Sequence, residues 1–190
     1  MALALPILAT VAPITAEAAS APCTHTTRGN HVPVINVGPG EKECLRHANQ
    51  TGAINVASTG SLLIVRSTVT GAITMSSGFN TFKSCASTII GAITASHGTG
   101  AVQLGGNSPA CRGNRLGALT LTSNQAGLLL SHNRISDSVT ANTNQVKTII
   151  TANRIVNDLT CNDNAPAPKH KHHRNTVGGA RSGNQCLNRF

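Results

Sequence analysis

The sequence contains no tryptophan, no tyrosine and only 3 phenylalanines in 190 residues. That shortage argues against a globule organised around bulky aromatic anchors. Charged residues are scarce at 11 %, but hydrophobic residues still make up 39 %, so the lack of charge does not signal disorder. Carboxylates are fewest of all, with 6 Asp and Glu together. No two cysteines have Cys-x-x-Cys spacing, which argues against a zinc site. No window carries a helical period long enough to count. Beyond the first twenty residues no apolar run is long enough for a membrane span. What remains is Val, Ile, Leu and Ala among abundant Gly, Thr, Asn and Ser, a composition suited to strands packed in thin layers.

Residues 1–18 read as a signal peptide. Met1 to Ala12 is apolar but too short to cross a bilayer, and Ala16-Glu17-Ala18 offers a small-x-small cleavage site. No Lys or Arg precedes the apolar run, so the true start is expected upstream of Met1. All 15 Lys and Arg lie after the cleavage point, whereas Glu17 is lost, so the mature charge becomes 15 − 5 = +10. Such an excess favours polyanions such as anionic polysaccharide or cell-wall polymer. The six cysteines behind a signal peptide read as disulfides. Of the fifteen connectivities, the sequential set is expected: Cys23 with Cys44, Cys85 with Cys111, and Cys161 with Cys186. Each pair closes a modest loop where the repeat is interrupted or ends.

The chain repeats itself. The tetrads Gly52-Ala-Ile-Asn55, Gly71-Ala-Ile-Thr74, Gly91-Ala-Ile-Thr94, Gly117-Ala-Leu-Thr120, Asp137-Ser-Val-Thr140 and Asn157-Asp-Leu-Thr160 align. Their third residues lie 19, 20, 26, 20 and 20 positions apart, and the long interval contains Asn107-Ser-Pro-Ala-Cys-Arg-Gly113, an inserted loop. A second signature, Asn-x-aliphatic, runs in phase at Asn114, Asn133, Asn153 and Asn175, with Ser67 and Ser87 in the same place earlier. Units this small cannot bury an apolar face alone, but stacked in register they can. Ile54, Ile73, Ile93, Leu119, Val139 and Leu159 then form one inward column. Val56, Met75, Ala95, Leu121, Ala141 and Cys161 form a second, and Leu62, Phe82, Val102, Leu128 and Thr148 a third. Stacked Asn amides would bond along the axis, and Asn tolerates the left-handed backbone of a turn.

On these repeats the chain resembles the right-handed parallel β-helices, including the pectate-lyase-like superfold and uncharacterised secreted bacterial proteins. The fold expected is all-β, a single-stranded right-handed parallel β-helix of about 5–6 coils with disulfide-stapled caps. Residues 19–50 form the N-terminal cap, 51–177 the β-helix and 178–190 the C-terminal cap or tail.

Polysaccharide lyases of the fold it resembles use clustered acids for calcium, and its glycoside hydrolases use grouped carboxylates. Here the acids after the cleavage point are Glu41, Glu43, Asp137, Asp158 and Asp163, with no such cluster, and Asp137 stacks with Asn157 as a turn residue. No catalytic residue and no cofactor is therefore assigned. Two basic features stand out. Arg115, Arg134 and Arg154 follow the ladder Asn in successive coils, and Lys169-His-Lys-His-His-Arg174 is a basic loop. Lys169, Lys171 and Arg174 join the arginines as candidate ligands for an anionic glycan. His170, His172 and His173 are weaker candidates for a transition metal. A column of Thr74, Thr94, Thr120, Thr140 and Thr160, with Ser, Thr or Asn two positions on, looks like the ranks of β-helical ice-binding proteins. The function expected is a secreted, non-catalytic structural or binding module at the cell envelope, taking anionic polysaccharide and no nucleic acid in vivo. A carbohydrate-active enzyme and an ice-binding protein are the alternatives.

Overall fold

The computed structural model describes residues 22–187 and shows an all-β parallel solenoid with a single helical turn, Gly183–Cys186. The segment read as a signal peptide lies outside the described residues.

Each coil contributes strands to three stacks. The first stack has eight parallel strands: Ile35–Val37, Ile54–Val56, Ile73–Met75, Ile93–Ser96, Leu119–Thr122, Val139–Asn142, Leu159–Asn162 and Arg181–Ser182. The second runs from the first half of Lys42–Gln50 through Ser61–Val65, Thr81–Cys85, Val102–Leu104 and Leu128–Ser131 to Thr148–Thr151. The third runs from the second half of Lys42–Gln50 through Thr68–Val69, Thr88–Ile89, Arg115–Leu116, Arg134–Ile135 and Arg154–Ile155 to Thr176–Val177. Lys42–Gln50 belongs to both because its two halves pair with different strands of the next coil. There are about eight coils, more than the five to six expected, because residues on both sides of the obvious repeats also stack. Ile35–Val37 pairs with Ile54–Val56, and Arg181 and Ser182 pair with Leu159 and Thr160. The insertion forms a small antiparallel hairpin, Asn107–Ser108 with Cys111–Arg112.

The three expected inward columns are the core, and every member is buried. A further column on the third stack runs Val69, Ile89, Leu116, Ile135 and Ile155. Period-two alternation puts these residues inside and their neighbours outside. The disulfides are Cys23–Cys44, Cys85–Cys111 and Cys161–Cys186, the sequential set. Each closes a loop of 21 to 26 residues, for which restriction of the unfolded chain stabilises by roughly 2–4 kcal/mol.

The corner between the second and third stacks holds a continuous amide ladder. Asn133 Oδ1 accepts from the backbone N–H of Asn114 at 2.8 Å and from its Nδ2 at 3.0 Å. Asn133 Nδ2 donates to Leu104 O at 2.8 Å and to Asn153 Oδ1 at 3.0 Å. Asn153 repeats the pattern onto Asn175. The ladder continues downward through serine, because the backbone N–H groups of Ala48, Ser67 and Ser87 donate in turn to Ser67 Oγ, Ser87 Oγ and Asn114 Oδ1.

A second ladder, not anticipated, occupies the corner between the first and second stacks. Gly98, Asn124 and Asn144 donate their backbone N–H groups to the side-chain oxygens of Asn124, Asn144 and Asn164. Gln185 Oε1 ends the column by accepting from both nitrogens of Asn164 at 2.9 Å. Below Asn124 the same corner is filled by the buried ring of Phe79, which fits because Gly98 has no side chain. A Cβ there would meet the ring at 2.3 Å.

The ladder asparagines are not themselves left-handed, as the turn argument expected. The left-handed residue is the one before: Ser123, His132, Thr143, Ala152 and Asp163 all have φ between 52° and 58°. One left-handed residue turns the chain sharply, and the next side chain then points inward. A non-glycine residue in that region costs roughly 1 kcal/mol, and the ladder bond to the following backbone N–H offsets it.

Replacing Asn133 with Ala strands a buried N–H of Asn114 and a carbonyl of Leu104. The variant should lose about 3 kcal/mol, seen as a melting temperature lower by roughly 10 °C in a thermal denaturation scan.

Candidate anion-binding face

Strand register places the three arginines of the third stack side by side. Arg115 pairs with Arg134, and Arg134 with Arg154, in consecutive parallel strands. All three side chains are exposed because Leu116, Ile135 and Ile155, their neighbours along the strand, turn inward. Adjacent strands of a sheet lie roughly 4.8 Å apart, so the arginine side chains leave the sheet at about that interval. Thr88 continues the column below Arg115, and Thr176 follows Arg154.

The arginines border a shallow groove of about 290 Å³. Its other side is formed by Ile90, Ser136 and Val156, of which Ile90 and Val156 are 61 % and 54 % exposed. Sequence reasoning found the arginines but not this apolar border. The available signal was that Ile90, Ser136 and Val156 each stand one place after an inward aliphatic residue.

The basic loop lies elsewhere. Lys169 pairs with Ile149 on the second stack, so the loop adds a partial coil to the end of that stack. Its backbone serves as a cap: Ile150 N–H donates to Lys169 O, Ala152 N–H to His173 O, and Thr151 Oγ1 to the carbonyls of His170 and His173. Lys169, Lys171, His172, His173 and Arg174 remain exposed. Only the end of the loop approaches the arginines, since Arg174 stands two positions before Thr176, the neighbour of Arg154. The arginines and the loop thus form two basic surfaces on adjacent stacks that meet at the corner. His170, His172 and His173 are not gathered into a ligand set: among the described residues no three His, Cys, Asp or Glu side chains could hold a metal ion together. The ring of His173 instead faces that of His132, with centroids 6.4 Å apart.

The acids serve turns. Glu41 accepts from Gly38 N–H at 2.7 Å, Glu43 from Thr27 N–H at 3.1 Å and Asp158 from Ala180 N–H at 2.7 Å. Asp163 holds Asn184 Nδ2 at 2.9 Å. Asp137 accepts from Ser138 N–H at 2.8 Å and from Asn157 Nδ2 at 3.0 Å, the stacking expected. Among the described residues the one acid–base ion pair is His25 with Glu41, so no carboxylate neutralises the arginine column.

The first stack presents a different surface. Asn36, Asn55, Thr74, Thr94, Thr120, Thr140 and Thr160 form one outward column in register, without a charge. Neighbouring hydroxyls bond to one another, Ser96 with Thr122 at 2.9 Å and Thr160 with Ser182 at 2.7 Å.

The amide of Asn157 and the N–H of Ser138 hold the Asp137 carboxyl below the usual carboxylate range. A lowered folded-state pKa contributes stability that is present above the unfolded value and lost as pH falls through the folded one. Carbon-detected NMR titration should place the Asp137 midpoint below that of a model peptide, and Asn157→Ala should move it upward. Compared with family models, with curated proteins and with solved structures, the chain matches none.

Proposed function

We propose that the protein is a secreted, non-catalytic solenoid of the cell envelope that binds a linear acidic polysaccharide along the Arg115–Arg134–Arg154 groove. The observation that carries this reading is the in-register arginine column, with no carboxylate beside it among the described residues. Stacked like charges repel, and an anion lying across them removes that cost. The planar guanidinium fork suits carboxylate and sulfate groups. A repeat of roughly 4.8 Å is close to the length of one sugar residue, so successive acidic groups can meet successive arginines. The exposed aliphatic border at Ile90 and Val156 offers a surface for the apolar faces of the sugar rings. At the corner Arg174 extends the basic surface towards the loop. The apolar N-terminal segment and the three disulfides fit an oxidising, extracytoplasmic setting.

The decisive experiment is a salt titration of binding to an acidic and a neutral polysaccharide, with wild type beside an Arg115/Arg134/Arg154→Ser triple variant. Wild type should bind the acidic polymer and lose affinity steeply as salt shortens the screening length to about 10 Å at 0.1 M. The triple variant should bind at least about tenfold more weakly. Equal binding of the neutral polymer, or full affinity in the variant, would exclude the arginine groove as the site.

One observation favours a second reading. The uncharged threonine column of the first stack is the kind of regular face that the ice-binding comparison calls for, although most of its second positions are Ser or Asn rather than Thr. Thermal hysteresis by the wild-type protein would transfer the assignment to that face.

A further inference from the structure

The insertion that interrupts the regular repeat builds a separate concave site. After the strand Val102–Leu104 the chain leaves the second stack, forms the hairpin Asn107–Ser108 with Cys111–Arg112, and turns at Pro109 and Ala110. The Cys85–Cys111 disulfide ties the hairpin back to the stack. Neighbouring coils close without any such excursion. The chain then rejoins the corner between the second and third stacks at Gly113. Gly113 and His132 stand immediately before the ladder residues Asn114 and Asn133, so they hold successive places in one corner column. Between the hairpin and the His132 ring lies a cleft of about 380 Å³, within the range of small-molecule sites.

The cleft is lined by donors and by small polar residues. Arg112 and His132 border it together with Asn107, Ser108 and Pro109, and no carboxylate lines it. The Arg112 side chain is exposed. The His132 ring is positioned from two sides. Ser131 Oγ, on a residue only 5 % exposed, lies 2.7 Å from His132 Nδ1. The ring of His173, from the basic loop, faces that of His132 with centroids 6.4 Å apart. When the Ser131 hydroxyl donates to Nδ1, the imidazole carries its proton on Nε2 and offers a second N–H beside the guanidinium. The basic loop adds charge of the same sign. Arg174 precedes the ladder residue Asn175, so it stands in the same corner column two coils beyond His132. A concave site surrounded by one sign of charge concentrates ions of the other.

We propose that this cleft binds a small hydroxylated molecule bearing one tetrahedral oxyanion, of the sugar phosphate class. The oxyanion sits between Arg112 and His132, and the hydroxylated body lies against Asn107 and Ser108. The planar guanidinium fork is matched to such an oxyanion. A lining without aromatic or large aliphatic side chains suits a polar body rather than a hydrocarbon one. The inserted hairpin is then the wall of a site, and the disulfide at its base fixes that wall. The site is distinct from the polysaccharide groove, because Arg115 and Arg134 lie two residues past Gly113 and His132, round the corner on the third stack.

The probe is glucose 6-phosphate, titrated calorimetrically into the folded protein beside glucose and inorganic phosphate. Glucose 6-phosphate should bind with one-to-one stoichiometry and at least about tenfold more tightly than either control, because each control lacks half of the recognised chemistry. Arg112→Gln should weaken it about tenfold. His132→Asn should do the same, since asparagine tolerates the left-handed backbone of this position, φ 58°, but brings no donor to the place of Nε2. Both variants should melt as wild type does, because neither side chain enters the core. The Arg115/Arg134/Arg154→Ser variant should keep full affinity for glucose 6-phosphate, which separates this cleft from the groove. Absence of binding would overturn the proposal, as would either control binding as tightly as glucose 6-phosphate, or undiminished affinity in both single variants.

Discussion

Most corners of the solenoid depend on one bond, from the backbone N–H of a corner residue to a side-chain oxygen in the next coil. Each coil turns through a left-handed residue, and twelve described residues other than glycine adopt that conformation. Ten of the twelve directly precede a residue of one of the two corner columns. A left-handed threonine, histidine or alanine is unfavourable in isolation. At seven of the ten it persists because the following Asn or Ser is drawn inward, where its amide or hydroxyl satisfies backbone groups that would otherwise be buried without partners. The ladder therefore sets the corner angle, and the corner angle sets the register of all three stacks.

Register is what turns a repeat into surfaces. Once the corners are fixed, the residue after each ladder asparagine of the third-stack corner faces solvent, as Arg115, Arg134 and Arg154 do. The outward residue at the centre of each first-stack strand is likewise Asn or Thr from Asn36 to Thr160. The faces thus carry unlike chemistry on one scaffold, an arginine column on the third stack and an uncharged hydroxyl column on the first. None of these faces is required by the core. The inward columns of Ile, Leu, Val and Phe would pack equally well beneath other outward residues, which leaves the outside free to carry function.

The sequence made the interior legible because inward positions recur with little variation. The Gly-Ala-Ile-Thr tetrads, the Asn-x-aliphatic signature and the sequential cysteine pairs all correspond to observed columns and bonds. The second ladder was hidden although Asn124, Asn144 and Asn164 lie 20 apart, because Gly60, Phe79 and Gly98 hold the same corner earlier. Steric filling by one aromatic ring there replaces hydrogen bonding, and no repeat of residue type reveals that substitution. The end coils were missed for a related reason. Ile35-Asn-Val37 matches Ile54-Asn-Val56, but it follows Pro33-Val34 rather than Gly-Ala. The stack that carries the basic loop could not be read, because Asn153 and Asn175 are 22 apart and phase counted backward from Asn175 does not show where Lys169 lies.

The central claim is that the buried corner ladders, rather than the short strands, hold the coils in register. Native-state hydrogen exchange tests it directly. The backbone amides of Asn114, Asn133, Asn153, Asn124 and Asn144 each donate to a ladder side chain and not to a strand partner. These five should exchange only through global unfolding, as slowly as the amides at the centres of the first-stack strands. Exchange of the five at the rate of the exposed corner residues, with the strand amides still protected, would contradict the account.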